Sequence, residues 1–309
     1  MIQPKVIIHG GAGYSLQDKG GLEAVRGSLR GIVQQIYARL LHGDGALSAA
    51  AFGCRLLEDE PRFNAGTGSV LQADGQIRMS ASLMDGQSQR LSGVINVSRI
   101  KNPVDLATWL QTCPDRVLSD AGAAELAREL QLPIHNPLTE LRLGEWMEER
   151  KGNFQRSMAG VVAESGRGTI GVVVLDQQGH LAAGTSTGGK GFERIGRVSD
   201  SAMPAGNYAS EIAAISCTGI GEDIIDESLA SRIVIRVTDG FSLLEAFDKS
   251  FQEAAKRQRD FGAIGLDHQG EIAWGKNCDV LLAAYHDGDR IDDTLELPTG
   301  LQVGVASQG

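Results

Sequence analysis

Gly168-Thr169-Ile170-Gly171-Val172-Val173-Val174-Leu175-Asp176 is a β-branched run opened by a Gly-Thr pair. A run of this kind bounded by turn residues reads as a buried strand. Asp176-Gln177-Gln178-Gly179 turns the chain, and His180 to Ser186 returns as a second strand ending in Thr187-Gly188-Gly189. Upstream, residues 148–168 are polar, with no apolar period longer than Met158 to Ala163. That segment is the one candidate break in the chain, and it reads as an exposed, cuttable connection.

Outward from this hairpin, strands and helices come in blocks. Val6-Ile7-Ile8 is a short buried strand running into a loop, His9-Gly10-Gly11-Ala12-Gly13. Val25, Leu29, Ile32, Val33, Ile36 and Leu40 recur at helical spacing, and Gly43 stops that helix. Ala46 to Glu58 reads as a second helix. Phe63 to Ser69 is a loop, followed by a hairpin of Val70-Leu71 with Ile77 to Leu83 around Asp74-Gly75. Gly93 to Val97 is a strand; Pro103 to Leu110, Leu118 to Leu130 and Trp146 to Lys151 are helical. Asp223 to Val237 reads as one long helix, and Ser242-Leu243-Leu244-Glu245 as a capping box before an apolar face of Leu244, Phe247 and Phe251. Leu266-Asp267-His268-Gln269-Gly270-Glu271-Ile272-Ala273 echoes Leu175 to Ala182, which predicts two alike hairpins in one sheet. Asp287 to Asp293 reads as a solvated acidic loop. Hairpins make antiparallel pairs dominant. The expected fold is α+β, with two sheets packed face to face and helices outside both.

Composition narrows the class. At 309 residues, 42% hydrophobic and 22% charged, the chain reads as globular, one large domain or two ordinary ones, and able to bury a sizeable core. Its net charge of −10 argues against a nucleic-acid or anionic-membrane surface. Glycine, at 40 residues, is well above the ~7% of average usage. Cys54, Cys113, Cys217 and Cys278 show no metal-site spacing and read as buried free thiols. No signal peptide and no apolar run of ~18 residues are seen, so a cytoplasmic protein is expected. No GK[ST] follows the Gly10 or Gly219 loops, which disfavours a nucleotide site.

A threonine hydroxyl is a poor nucleophile unless a base takes its proton. A free α-amine on the same residue, with pKa near ~7.7–8.0, can do so. Internal Thr169 meets that condition only if the Gly168–Thr169 bond breaks. Its hydroxyl could attack the Gly168 carbonyl, and water would release the resulting ester. From spacing alone, a Gly-Thr pair before a strand is most often just a turn.

Several motifs together are more specific. They are His9-Gly10-Gly11-Ala12-Gly13, Phe63-Asn64-Ala65-Gly66, Met84-Asp85-Gly86, Gly168-Thr169-Ile170-Gly171, Thr185-Ser186-Thr187-Gly188-Gly189, Gly196-Arg197-Val198-Ser199-Asp200 and Ser216-Cys217-Thr218-Gly219-Ile220-Gly221-Glu222. In this order, across most of the chain, the set resembles the plant-type asparaginase/isoaspartyl aminopeptidase family of N-terminal-nucleophile hydrolases. The resemblance implies a four-layer αββα sandwich forming a single domain, 1–309, cut into an α subunit, 1–168, and a β subunit, 169–309. It implies a homodimer of processed units, acting on a small-molecule substrate, with no nucleic-acid or membrane partner.

It also implies a role for each residue. Thr169 would be nucleophile and base, with Thr187 holding it in register. Arg197 would pair with a substrate α-carboxylate, which a planar guanidinium grips through two bonds. Asp200 would hold the α-ammonium. Thr218 and the Gly219 N–H would form an oxyanion hole, and Gly221 would let the backbone approach the substrate. Asn64 would reach the nucleophile's neighbourhood from the first half. No cofactor is required; a structural sodium ion would sit on the backbone carbonyls of Leu57, Glu58, Glu60, Phe63, Ala65 and Thr67.

Departures lie beside the clamp. Ser199 and Ala202 stand where the family usually has glycine and proline, and the stretch Met203 to Tyr208 is one residue shorter than usual. Gly168 before the nucleophile matches the asparaginase/isoaspartyl branch, whereas the glycosylasparaginase branch has aspartate there. The expected activity is therefore hydrolysis of β-aspartyl dipeptides or L-asparagine. The alternatives are a glycosylasparaginase-like amidase or a non-catalytic binding member of the same fold.

Overall fold

A computed structural model describes residues 2–13, 19–152, 154 and 168–306. The polar stretch around Met158 to Ala163 lies outside the described residues. The strands are β1 (Lys5–Gly13), β2 (Met79–Asp85), β3 (Arg90–Val97), β4 (Val117–Ser119), β5 (Ile170–Leu175), β6 (Leu181–Thr187), β7 (Asn207–Ala209), β8 (Ala213–Gly219), β9 (Phe261–Asp267), β10 (Ile272–Lys276), β11 (Val280–His286), β12 (Ile291–Asp293) and β13 (Gln302–Val305). The α-helices are α1 (Leu22–Leu41), α2 (Ala46–Asp59), α3 (Pro103–Leu110), α4 (Asp120–Glu129), α5 (Glu140–Lys151), α6 (Gly221–Glu227), α7 (Leu229–Thr238) and α8 (Leu243–Lys256).

The β-branched run explains the layering. Antiparallel β1 and β5 set Ile7 opposite Val173 and Ile8 opposite Val172. Val6, Ile8, Val172 and Val174 pack with Val25, Leu29, Val33 and Ile36 of α1. Ile7, Val173 and Leu175 point the other way and meet Ile264, Leu266 and Ile272 of a second sheet. A third core joins that sheet to α7 and α8 through Ile215, Ile233, Phe247 and Phe251. Both faces of β5 are thus buried, and a one-residue slip would swap its two core sets. The eight-stranded sheet has the order β12-β11-β1-β5-β6-β2-β3-β4, and the five-stranded sheet β13-β10-β9-β8-β7. Among the described residues, all strand pairs are antiparallel except β3 with β4. The expected sandwich is present, with helices on both outer faces.

Several local expectations need correction. The His9 to Gly13 loop is strand: β1 continues through it with a register shift between His9 and Ala12. Val70-Leu71 forms no strand, although the turn at Asp74-Gly75 closes through Gln72 and Gln76. Leu118 and Ser119 belong to β4, paired with β3, before α4 begins. The single helix expected over Asp223 to Val237 is two, broken at Ser228, whose φ of 47° is left-handed. The Ser242 capping box is present, but Leu243 rather than Leu244 is buried beside Phe247.

The two echo hairpins share their turn but not their sheet. Asp176 Oδ1 accepts from the Gln178 and His180 amides at 2.9 Å each, and Asp267 Oδ1 from those of Gln269 and Glu271 at 3.0 and 2.8 Å. The glycines Gly179 and Gly270 close both turns with φ of 85° and 86°. Repetition of an Asx turn fixes local geometry and says nothing about which sheet receives it. The acidic Asp287 to Asp293 is not simply a solvated loop: it ends in β12, and the Asp293 side chain, 5% exposed, pairs with Arg26 and Arg30. Of the four free cysteines, Cys113 is only half-buried.

Candidate active site

Thr169 stands immediately before β5 and is 8% exposed. The β5–β6 register pairs Ile170 with Ser186, which brings Thr169 to the end of β6 beside Thr187. The Thr169 hydroxyl donates to Thr187 Oγ1 at 3.1 Å. Thr187 Oγ1 also accepts from the Gly189 amide at 3.1 Å. The threonine expected to hold the nucleophile in register therefore touches it.

Gly168 is wedged against Gly11. A Cβ on Gly168 would lie 2.1 Å from Gly11 Cα, and one on Gly11 would lie 2.6 Å from Gly168 Cα. Gly11 has φ of 126°, so it is doubly restricted to glycine. At Gly168 the requirement comes from this close approach, not from a left-handed backbone.

His9, which the sequence places in a motif without a role of its own, holds the other side of Thr169. Its Nδ1 lies 2.9 Å from the Thr169 carbonyl oxygen, and its Nε2 lies 2.9 Å from Ser216 Oγ. Ser216 Oγ is also 2.7 Å from Thr185 Oγ1. A carbonyl only accepts, so Nδ1 carries the proton and Nε2 accepts from Ser216. Burial pushes the His9 pKa down to about 3, against the pull of the Thr169 carbonyl, so the ring is neutral. A side chain at Gly171 would collide with both His9 and Ser216.

Thr218 is the next-to-last residue of β8 and pairs with Gly262 of β9. The Cβ position of Gly262 lies 3.6 Å from Ala12, next to the Gly11 that abuts Gly168. Thr218 thus lies at the same end of the sandwich as Thr169. Its hydroxyl is buried with no hydrogen-bond partner among the described residues. An orphaned buried hydroxyl costs about 1–3 kcal/mol, which a ligand atom could offset. Gly219 has φ of 129° and packs against Phe261, so a side chain there would be strained.

Arg197 and Asp200 converge on Gly221. A Cβ at Gly221 would lie 2.5 Å from Arg197 Nη2 and 2.7 Å from Asp200 Oδ1. The missing side chain leaves a space bounded by a cation and a carboxyl, the complement of an amino-acid head group. Asp200 Oδ2 is buried and unpartnered among the described residues. Burial pushes the Asp200 pKa up to about 6, against the charge of Arg197. Arg197 is braced by Glu222, which accepts from Nε at 3.2 Å and Nη2 at 3.1 Å. Partial burial pushes Glu222 up, but Lys190 and Arg197 outweigh it and bring the carboxyl down to about 2.

Asn64 acts on the turn beyond Thr187 and makes no hydrogen bond to Thr169 among the described residues. Its Nδ2 donates to the Gly189 carbonyl at 2.6 Å, its carbonyl accepts from the Gly188 amide at 2.9 Å, and its Oδ1 accepts from Val70 N at 3.0 Å. The loop around it gathers its own carbonyls. A Cβ at Gly66 would lie 2.3 Å from Glu58 O; one at Gly68 would lie 2.5 Å from Pro61 O and 2.9 Å from Phe63 O. The carbonyls of Leu57, Glu58 and Glu60 already accept one backbone bond each, leaving a second lone pair. That donor chemistry fits a hard alkali cation. The side chains of Glu58, Glu193 and Lys190 also flank the site, and no local sequence signal shows it, because their partners Ser186, Gln72 and Glu222 lie far away in sequence.

The family model described as "Asparaginase" matches residues 2–296. The chain is similar to the isoaspartyl peptidase/L-asparaginase of Nostoc sp., 68% identical over 99% of both chains. It is 63% identical to the one from Synechocystis sp., covering 98% of this chain and 94% of the relative. A plant-type L-asparaginase from Pyrococcus horikoshii is 33% identical, covering 91% and 95%. On this family match and these identities, the chain belongs to the plant-type asparaginase/isoaspartyl peptidase family.

Proposed function

We propose that this chain hydrolyses the side-chain amide of an aspartyl unit, in β-aspartyl dipeptides and L-asparagine, through Thr169 freed as an N-terminus. The observation that carries the reading is the Thr169–Thr187 hydroxyl pair at the end of the sandwich that also holds the unpartnered Thr218 hydroxyl. In the precursor, Thr169 Oγ attacks the Gly168 carbonyl, the acyl group moves from nitrogen to oxygen, and water hydrolyses the ester. The released α-amine then serves as base to its own hydroxyl.

With substrate bound, Arg197 takes the α-carboxylate and Asp200 the α-ammonium, which sets the β-carbonyl on Thr169. The hydroxyl adds to that carbonyl while its proton passes to the α-amine. The Thr218 hydroxyl and Gly219 N–H take the oxyanion. The protonated amine returns the proton to the departing nitrogen, leaving an ester on Thr169. Water cleaves the ester and frees aspartate. A sodium ion on the carbonyls of Leu57, Glu58, Glu60, Phe63, Ala65 and Thr67 would brace the Asn64 loop and supply no chemistry. The proposed working unit is a dimer of processed chains, a reading supported by the family likeness.

The test is aspartate release from asparagine and from β-aspartyl-leucine. Release is expected from both, with kcat falling roughly 10²–10³-fold in Thr218→Val. A chain that releases no aspartate from either overturns the reading.

A further inference from the structure

Lys190 lies one residue past the Gly188–Gly189 turn that holds Thr187. Its ammonium reaches Glu222 Oε1 at 2.8 Å. That same oxygen accepts from Arg197 Nε at 3.2 Å, while Oε2 accepts from Nη2 at 3.1 Å. Two cations therefore share one carboxylate at the edge of the clamp. An ammonium has three N–H donors, and Glu222 is the one acceptor that Lys190 meets among the described residues. The Lys190 side chain is 30% exposed, so its spare donors remain open to a ligand.

The two substrate classes differ by one charge. Asparagine brings a single carboxylate, which Arg197 accounts for. A β-aspartyl dipeptide brings a second, on the residue that leaves. Lys190 supplies a second cation, carried on the loop that begins at Thr187 beside the nucleophile. A flexible, strongly hydrated ammonium suits a group that must depart after each turnover, whereas a planar bidentate grip would retain it.

We infer that Lys190 binds the free α-carboxylate of the leaving residue and tunes this site toward β-aspartyl dipeptides over asparagine, an inference that rests on the hydrolase reading above. Glu222 has two tasks in this arrangement: it braces Arg197 for the aspartyl head and holds Lys190 over the departing half.

The test pairs a variant with a substrate change. kcat/KM is measured for β-aspartyl-leucine and for its C-terminal carboxamide, in the unaltered protein and in Lys190→Met and Lys190→Arg. The unaltered protein should favour the free acid about fivefold, mostly through KM, as a half-exposed charge pair allows. In Lys190→Met the preference should fall to about one, and Lys190→Arg should keep most of it. The same preference in the unaltered protein and Lys190→Met, or no preference in the unaltered protein, overturns the assignment. No aspartate from either peptide overturns the hydrolase reading itself, and the assignment with it.

Discussion

Asp200 and the proposed α-amine of Thr169 must both be deprotonated for the free site to take substrate, and they titrate apart. Burial holds the Asp200 carboxyl at about 6, and an α-amine titrates near ~7.7–8.0. As pH falls, the amine protonates first, then the carboxylate proposed to grip the substrate ammonium. The logarithm of kcat/KM, which reports free-enzyme groups, should fall with slope one below the amine's pKa and slope two below about 6. In Asp200→Asn the slope should stay at one, with KM raised; a slope of two surviving in that variant contradicts the role. Motif order names Thr169, Thr187, Arg197 and Asp200, and the structure brings Thr169 to Thr187 and both Arg197 and Asp200 to Gly221. His9 as an anchor was not legible, because its partners lie 160 and 207 residues away. A neutral buried histidine bridging two strands has no one-dimensional signature.

Glu58 shows what elements add. It lies at the end of α2, its Oε1 accepts from Ser186 Oγ of β6 at 2.7 Å, and it accepts from Val104 N in the first turn of α3 at 3.2 Å. Burial pushes its pKa from 4.5 up to about 8, against those hydrogen bonds. The folded state therefore binds a proton that the unfolded state has released between those pH values. Stability falls as pH rises from about 4.5 through about 8, and the loss is complete above the folded value. Glu58→Gln should flatten this slope and raise Tm at pH 8 by several degrees, read by thermal melts across pH; an unchanged slope contradicts it. Helices α1 and α3 and the Ser242 cap were legible because periodicity, Pro103 and the capping pair are local signals. The break at Ser228 was not, since its apolar period continues across the left-handed residue. The placement of the echo hairpin in the other sheet was also hidden, since pairing partners are chosen by tertiary packing.

Across the whole molecule, the proposed cut leaves two interleaved pieces. Residues 1–168 own β1 to β4, and residues 169–309 own the rest. In the eight-stranded sheet β1 lies between β11 and β5, and β2 lies beside β6. Three seams of antiparallel hydrogen bonds thus join the pieces, and the Thr169 carbonyl is held by His9 from the other piece. The cut chain should remain one folded body in native buffer. The αββα layering was legible from hairpins and helix blocks; the interleaving was not, because β1 and β11 pair across nearly the whole chain. Mass spectrometry of the denatured, active protein tests the central claim most directly. Two masses are predicted, for residues 1–168 and 169–309, the second beginning at Thr169, and a single uncut mass in an inactive Thr169→Ala. An active preparation giving only the mass of the intact chain would contradict the account.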